Sequence, residues 1–109
     1  MTVAPPVLRV QLNRWRRAGG AGAILDHVHP DQEVLFHSAR YRLQSVVIHL
    51  GNLPRSGHYI ACARHATSTG EWWLYNDSIR REATPDEVAC TAFFDRDRMK
   101  AYVLFYERL

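Results

Sequence analysis

Apolar and polar residues alternate along several short stretches of this 109-residue chain, and such alternation predicts β-strands that are buried on one face. In the stretch from Val7 to Trp15, Leu8, Val10 and Leu12 share one face, while arginine and amide side chains occupy the other. The pattern therefore predicts a first, half-buried strand over this stretch.

The clearest strand pattern runs from Tyr41 to His49. Residues at odd positions share one face of this stretch, and Val46 and Ile48 lie on the other. Because apolar residues occupy both faces, we expect the strand to lie at the centre of a sheet. A last strand of the same type is expected over Ala101–Tyr106.

Two stretches rich in aromatic residues, 56–64 and 71–78, predict a β-hairpin between these strands. The polar run 65–70 ends in glycine and is typical of a hairpin loop. Symmetrical pairing around this loop places Arg64 opposite Glu71.

The same pairing places His58 opposite Asp77, and a one-residue bulge would place it opposite Asn76 instead. Directly opposed residues share a face and have β-carbons within about 5.5 Å of each other. A histidine beside an amide or a carboxylate is the base and its orienting group in a nucleophilic site, but it is also a common structural pair. Gly57, directly before the histidine, favours the interpretation as a nucleophilic site over that of a structural pair, because a missing side chain lets a substrate backbone come close.

The rest of the chain predicts few regular elements. Thr84–Glu87 has the sequence of a capping box, so a short helix is expected over Pro85–Cys90. Ile24–Val28 is a further candidate strand, and we interpret 31–40 as irregular and 91–100 as a loop. The predicted fold class is α+β, a mostly antiparallel twisted sheet with one short helix.

Length and composition indicate one domain, with an extended lead-in over 1–6 and the folded part over 7–109. Two cysteines are too few for a disulfide framework, and the N-terminus lacks the pattern of a signal peptide. No apolar run has membrane-spanning length, so we expect no membrane association. An intracellular location, cytoplasmic or nuclear, is the expectation.

The charge pattern does not favour nucleic-acid binding. The net charge is +3, but acidic residues are interspersed among the arginines and no basic stripe is present. A metal site would have to use His27, His29 and His37, and no cysteine pair stands at zinc spacing. We therefore expect no metal and no other cofactor.

Five motifs together resemble the ubiquitin-specific proteases, in the C-terminal part of their catalytic domain. The motifs follow one another in the family's order from about Val7 to the end of the chain. They are Leu8-x-x-Gln11-Leu12-x-Arg14-Trp15, Tyr41-x-Leu43-x-x-Val46-Val47-x-His49-x-Gly51, Ser56-Gly57-His58-Tyr59, Trp73-x-Tyr75-Asn76-Asp77-Ser78 and Ala101-Tyr102-Val103-Leu104-Phe105-Tyr106.

The resemblance implies a papain-like cysteine protease that cuts the bond after the C-terminal glycine of ubiquitin. By this resemblance the sheet is the palm part of the domain, and ubiquitin or ubiquitinated proteins are the partners. His58 matches the general base, Asn76 the residue that orients it, and Asp77 an accessory polar residue. The residues implied to lie against the ubiquitin tail are Ser56, Gly57 and Tyr59.

The sequence departs from the family in one important respect, because the upstream box that contains the nucleophilic cysteine is missing. Neither cysteine present replaces it: Cys62 lies about 13 Å from His58 along the same strand, and Cys90 lies at the end of the predicted helix. We therefore expect the 109-residue chain to be inactive alone. The alternative is a catalytically inactive ubiquitin-binding or scaffolding module.

Overall fold

The computed structural model describes residues 4–12, 28, 30–51, 57–65, 70–94 and 96–109. Within these residues the chain forms nine strands and one short helix. The elements are β1 (Val7–Gln11), β2 (Glu33–Phe36), β3 (Ala39–Leu50), β4 (His58–Arg64), β5 (Trp72–Asn76), β6 (Ile79–Glu82), α1 (Pro85–Val88), β7 (Phe93–Phe94), β8 (Asp97–Arg98) and β9 (Lys100–Arg108).

Seven of the strands form one antiparallel sheet in the order β1-β9-β3-β4-β5-β6, with β2 also paired to β3. The predicted α+β class with one short helix is confirmed. The predicted last strand is also confirmed, and it extends over Lys100–Arg108. The first strand ends at Gln11, and Asn13–Trp15 lie outside the described residues, as do residues 24–27 of the candidate strand.

Strand β3 lies between β9 and β4, so its predicted central position is confirmed. The predicted assignment of its faces is wrong. The register against β9 shifts between Leu43 and Ser45, because Gln44 is an extra residue in a β-bulge. The bulge reverses the alternation, so Leu43 is buried on the same face as Val46 and Ile48.

The stretch 31–40, interpreted as irregular, contains β2 and its turn into β3. Phe36 pairs with Ala39, which leaves a two-residue turn at His37 and Ser38. Both turn residues have positive φ, 50° and 62°. Turns of this kind usually contain Asn-Gly or Asp-Gly, and the His-Ser sequence does not indicate one.

The predicted capping box is confirmed, with Thr84 and Glu87 exchanging side-chain to backbone hydrogen bonds. The helix ends at Val88, earlier than expected. Cys90 follows in the left-handed region, with φ 59°, and Thr91 N–H bonds to the Asp86 carbonyl. The predicted loop over 91–100 is wrong, because it contains the β7–β8 hairpin and the start of β9.

The hydrophobic core lies on one face of the sheet, and Val88 of α1 packs into it. The residues before β1 join this body, since the Tyr41 hydroxyl donates to the Pro5 carbonyl at 2.6 Å and the Arg108 guanidinium donates to the Ala4 carbonyl at 2.8 Å. The buried apolar side chains include Tyr41, Leu43, Val46, Ile48, Leu50, Ile60, Cys62, Trp72, Leu74, Val88, Met99, Leu104 and Tyr106.

None of the helices that the structure describes has the length and apolar character needed to cross a membrane.

Candidate functional site

The hairpin of β4 and β5 forms as predicted, but its register differs by one residue. Arg64 pairs with Trp72 rather than with Glu71. The paired ladder then runs only as far as Ala61 opposite Tyr75. Beyond that pair β4 and β5 are no longer joined to each other by backbone pairing. His58 and Asn76 both lie in this part, where His58 pairs with Leu50 of β3 and Asn76 with Ile79 of β6.

The corrected register explains which residue reaches the histidine. Continued past the last pair, it would place His58 opposite Ser78 and diagonal to Asn76, on the same face of the sheet. A diagonal separation of about 7–8 Å between α-carbons can be spanned by two side chains. Neither arrangement considered from the sequence, direct opposition to Asp77 or to Asn76, is the one observed.

The His58 ring and the Asn76 side chain meet across this gap. His58 Nε2 lies 2.5 Å from Asn76 Oδ1. Because an amide oxygen can only accept, Nε2 donates its proton, and Nδ1 is the ring nitrogen left with a free lone pair. The contact therefore selects one tautomer of the neutral imidazole.

Asp77 lies close to the same nitrogen but does not hydrogen-bond to it. Asp77 Oδ2 is 3.9 Å from His58 Nε2, and the Asp77 side chain is 81% exposed. Asp77 occupies the turn after β5 with φ 52°, a left-handed conformation that aspartate tolerates. Water screens its charge, so its effect on the imidazole is weaker than that of the amide contact.

The core face of the sheet continues directly into this pair. Ile60 and Cys62 follow His58 on the same side of β4, and Leu74 precedes Asn76 on the same side of β5. The pair thus lies where the buried core ends and the sheet face opens to solvent, with the His58 side chain 46% exposed. The Asn76 amide holds the imidazole in place, and part of the ring remains accessible to solvent.

Gly57 has a packing role that the sequence did not indicate. A β-carbon at this position would collide with the His49 imidazole and come within 2.6 Å of the Leu50 carbonyl oxygen. Tyr59 points to the opposite face from His58, where its ring packs 4.9 Å from His49 and 5.6 Å from Tyr102. Ser56 lies outside the described residues.

The two cysteines are reduced thiols rather than disulfide partners, and both are buried. The pKa of the Cys62 thiol is raised to about 12, chiefly by burial and also by the negative charge of Glu87, with Arg81 offsetting part of the rise. At neutral pH this thiol is protonated and is not a nucleophile.

Among the residues that the structure describes, no group of three histidine, cysteine or carboxylate side chains could hold a metal ion. His37 is described, whereas His27 and His29 lie outside the described residues.

An ion pair beside the site was missed by sequence reasoning. Arg81 donates from both terminal nitrogens to Glu87, at 2.8 and 2.5 Å. Glu87 is buried and also accepts from the Thr84 backbone N–H at 2.9 Å. The capping box indicated Glu87, but its pairing with Arg81 depends on how the hairpin folds against the helix.

Comparison with known proteins gives consistent matches. The model of the ubiquitin carboxyl-terminal hydrolase family matches residues 1–106. Ubiquitin carboxyl-terminal hydrolase 25 of Arabidopsis thaliana is 32% identical over 116 aligned residues, which cover 96% of this chain and 16% of that protein. Ubiquitin carboxyl-terminal hydrolase 32 of Drosophila melanogaster is 48% identical over 69 residues, 63% of this chain and 3% of that protein.

Solved structures match the fold as well. The SAGA Ubp8/Sgf11/Sus1/Sgf73 DUB module contains a chain that is 26% identical, with a TM-score of 0.77. The match covers 96% of the present chain and 24% of the solved one. The same scores apply to a structure of that module with a substituted Ubp8 chain, bound to monoubiquitin. The present chain thus spans about a quarter of the solved chain.

The family match over nearly the whole chain agrees with the sheet topology, and both agree with the order of the five sequence motifs. The papain-like fold class expected from the resemblance is confirmed. The chain therefore belongs to the ubiquitin carboxyl-terminal hydrolase family, as a fragment of a ubiquitin-specific protease catalytic domain.

Proposed function

We propose that this chain is the C-terminal segment of a cysteine deubiquitinase that hydrolyses the bond after the C-terminal glycine of ubiquitin. In this proposal His58 is the general base and Asn76 orients it. The main support is the 2.5 Å contact between His58 Nε2 and Asn76 Oδ1. It fixes the tautomer whose other nitrogen, Nδ1, can accept a proton.

The nucleophilic thiol would come from a segment outside these 109 residues. His58 Nδ1 takes the proton of that thiol, and the resulting thiolate attacks the carbonyl carbon of the ubiquitin glycine. The imidazolium then returns the proton to the leaving amine, and the bond between glycine and amine breaks. Water, deprotonated by the same imidazole, releases ubiquitin from the thioester.

Asn76 and Asp77 would divide the support of the ring. The neutral Asn76 amide holds the orientation of the ring through its hydrogen bond and does not add a charge. The Asp77 carboxylate, 3.9 Å from the ring nitrogen, favours the positive imidazolium during the reaction, weakly because it is exposed. Loss of Asp77 should therefore matter less than loss of Asn76.

Ubiquitin is the proposed partner, with its tail beside Ser56 and Gly57. Gly57 directly precedes the base, and its missing side chain lets this part of the backbone pack against His49 and the Leu50 carbonyl, beside the proposed path of the tail. The Tyr59 side chain lies on the other face of the strand, where its ring packs against the His49 imidazole. The same imidazole occupies the space next to Gly57. The part of Tyr59 is then to support the backbone before His58.

We propose an intracellular site of action, in the cytoplasm or the nucleus, since both cysteines are reduced rather than joined in a disulfide. The domain division into a lead-in over 1–6 and a folded part over 7–109 stays a prediction. We expect neither nucleic acid nor a membrane among the partners.

A second candidate function is a ubiquitin-binding module without hydrolase activity. It is favoured by the state of the two cysteines, both buried, and by the raised pKa of the Cys62 thiol. The two functions differ in whether the reading frame upstream of Met1 encodes a cysteine box.

Hydrolysis of a fluorogenic ubiquitin C-terminal amide tests the proposal. The gene product that includes the frame upstream of Met1 should cleave the probe, and His58→Ala in that protein should reduce cleavage on the order of 10²–10⁴-fold without unfolding it. The 109-residue chain alone should be inactive. Cleavage at the normal rate by the His58→Ala variant would contradict the assignment of the base.

A further inference from the structure

The position of Asn76 is not explained by the pairing of its own strand with β4. The β4–β5 ladder ends at Ala61 opposite Tyr75, one residue before Asn76. From there, among the residues that the structure describes, the backbone of Asn76 is paired with Ile79 of β6 alone. The tip of the β5–β6 hairpin therefore depends on β6 for its position.

Strand β6 is itself an edge strand with little support. All four of its residues are exposed, and within the described residues it pairs with β5 alone. A two-stranded ribbon at a sheet edge twists and frays readily unless side chains attach it to the body. The attachment of β6 is therefore the feature that decides where Asn76 lies.

Arg81 provides this attachment on the core face of the sheet. It pairs with Leu74, two residues before Asn76 and on the same face as Asn76. Its guanidinium donates two hydrogen bonds to the Glu87 carboxylate, at 2.8 and 2.5 Å. Such a forked pair fixes orientation as well as distance, which a single ammonium cannot do.

Glu87 is a firm anchor for this contact. It is buried, and it accepts a further hydrogen bond from the Thr84 backbone at 2.9 Å. The neighbouring Val88 belongs to the hydrophobic core, so the helix does not move independently of the sheet. The chain of contacts runs from the core through α1 to β6 and on to the hairpin tip.

We propose that Arg81 is a positioning residue, which holds Asn76 against His58 by fixing the β5–β6 hairpin to Glu87. This inference rests on the proposed roles of His58 and Asn76. The distance from Arg81 to the tip is two residues, about 7 Å of strand. A hydrogen bond is lost when its heavy atoms move about 1 Å apart, so a small tilt of the hairpin is sufficient to break the contact.

Arg80 supplies a matched control. It lies next to Arg81 on the same strand and points to the opposite face, where its guanidinium lies 5.1 Å from the centre of the Trp73 ring. Removing Arg80 takes away the same charge and a similar side chain from the same strand. It leaves the contact with Glu87 intact.

The experiment measures exchange of the His58 Nε2 proton with water, by NMR of the 109-residue chain labelled with ¹⁵N in its imidazoles. At a pH where the ring is neutral, the bond to Asn76 slows this exchange. Asn76→Ala should accelerate it about fivefold, as expected for one lost hydrogen bond. Arg81→Ala should accelerate it by about two- to fivefold, and Arg80→Ala should leave it unchanged.

Two conservative variants keep the test usable if Arg81→Ala does not fold. Arg81→Lys keeps the charge and loses the fork, and Glu87→Gln keeps the capping box and loses the ion pair. Both should accelerate exchange by less than Arg81→Ala does. A purely structural role would lower the unfolding midpoint in urea without changing exchange of this proton in the folded protein.

The inference is overturned if Arg81→Ala or its conservative substitutes leave the exchange rate at the wild-type value while Asn76→Ala raises it. It is also overturned if Arg80→Ala raises the rate as much as Arg81→Ala. If Asn76→Ala itself has no effect, the bond between His58 and Asn76 is refuted. That result would overturn the proposed function together with this inference.

Discussion

His58 and Asn76 meet at 2.5 Å beyond the last pair of their strands, Asn76 one residue past Tyr75 and His58 three residues past Ala61. The contact is diagonal, and it exists because the hairpin register is one residue away from the symmetrical arrangement. In that register Asn76 shares the face of His58, whereas Asp77 has already entered the turn. The strand ladder thus selects the amide over the carboxylate as the partner of the imidazole.

The first prediction follows from the proposed function and concerns the relative importance of the three polar residues, in a gene product that includes the proposed cysteine box. His58→Ala should reduce turnover of a ubiquitin probe on the order of 10²–10⁴-fold, the usual loss for a general base. Asn76→Ala should cost a smaller factor, because Asp77 still favours the imidazolium, and Asp77→Ala the smallest. Steady-state rates of the folded variants check the order, and a greater loss for Asp77→Ala than for Asn76→Ala would mean that the two roles are exchanged.

The second prediction concerns Gly57. Gly57→Ala should lower the free energy of unfolding by about 1–3 kcal/mol, because the new methyl group would overlap the His49 ring and crowd the Leu50 carbonyl. Urea denaturation measures the change. In the double variant with His49→Ala, removal of the ring should restore part of the loss; additive effects of the two substitutions would contradict a direct clash.

Much of this arrangement could be predicted from local patterns. The central strand, the hairpin, the capping box and the final strand each have a periodicity or a motif of their own, and each of these elements is present. The same is true of His58 and Asn76 as candidates. Features that depend on the residues of one segment could therefore be predicted from the sequence.

The features that were missed depend on how segments meet. The bulge at Gln44 reverses the faces of β3, and its sequence does not differ from that of a regular strand. The turn at His37 and Ser38 lacks the usual turn residues, and the pairing of Arg81 with Glu87 needs the hairpin and the helix to be in place. The one-residue error in register has the same origin, since loop length alone does not specify how a loop closes.

The third prediction is a pH dependence of stability caused by Glu87. Its pKa lies below the usual value of 4.5, chiefly because of the hydrogen bonds from Arg81 and although burial acts in the opposite direction. A carboxyl group with a lowered pKa in the folded state binds protons more readily when unfolded. Its contribution to stability is therefore complete above the unfolded pKa and disappears as the pH falls through the lowered folded value.

Urea midpoints measured from about pH 6 downwards to about pH 3 test this dependence. At about pH 6 the free energy of unfolding of the wild-type chain should exceed that of Glu87→Gln by about 1 kcal/mol or less. The effect is small because Arg81 is 44% exposed and partly screened by water. The difference should shrink on acidification. A difference that stays constant over the range would show that the charge of Glu87 does not contribute.

The fourth prediction concerns the two thiols. Cys62 and Cys90 are fully buried, and the pKa of Cys62 is raised to about 12, chiefly by burial. Neither thiol should react with iodoacetamide at neutral pH while the chain is folded, because the reagent needs an accessible thiolate. Mass spectrometry should detect both adducts in urea, at a rate set by unfolding. Rapid single labelling of Cys62 in the folded chain would contradict its burial, and would reopen the question of a nucleophile within these residues.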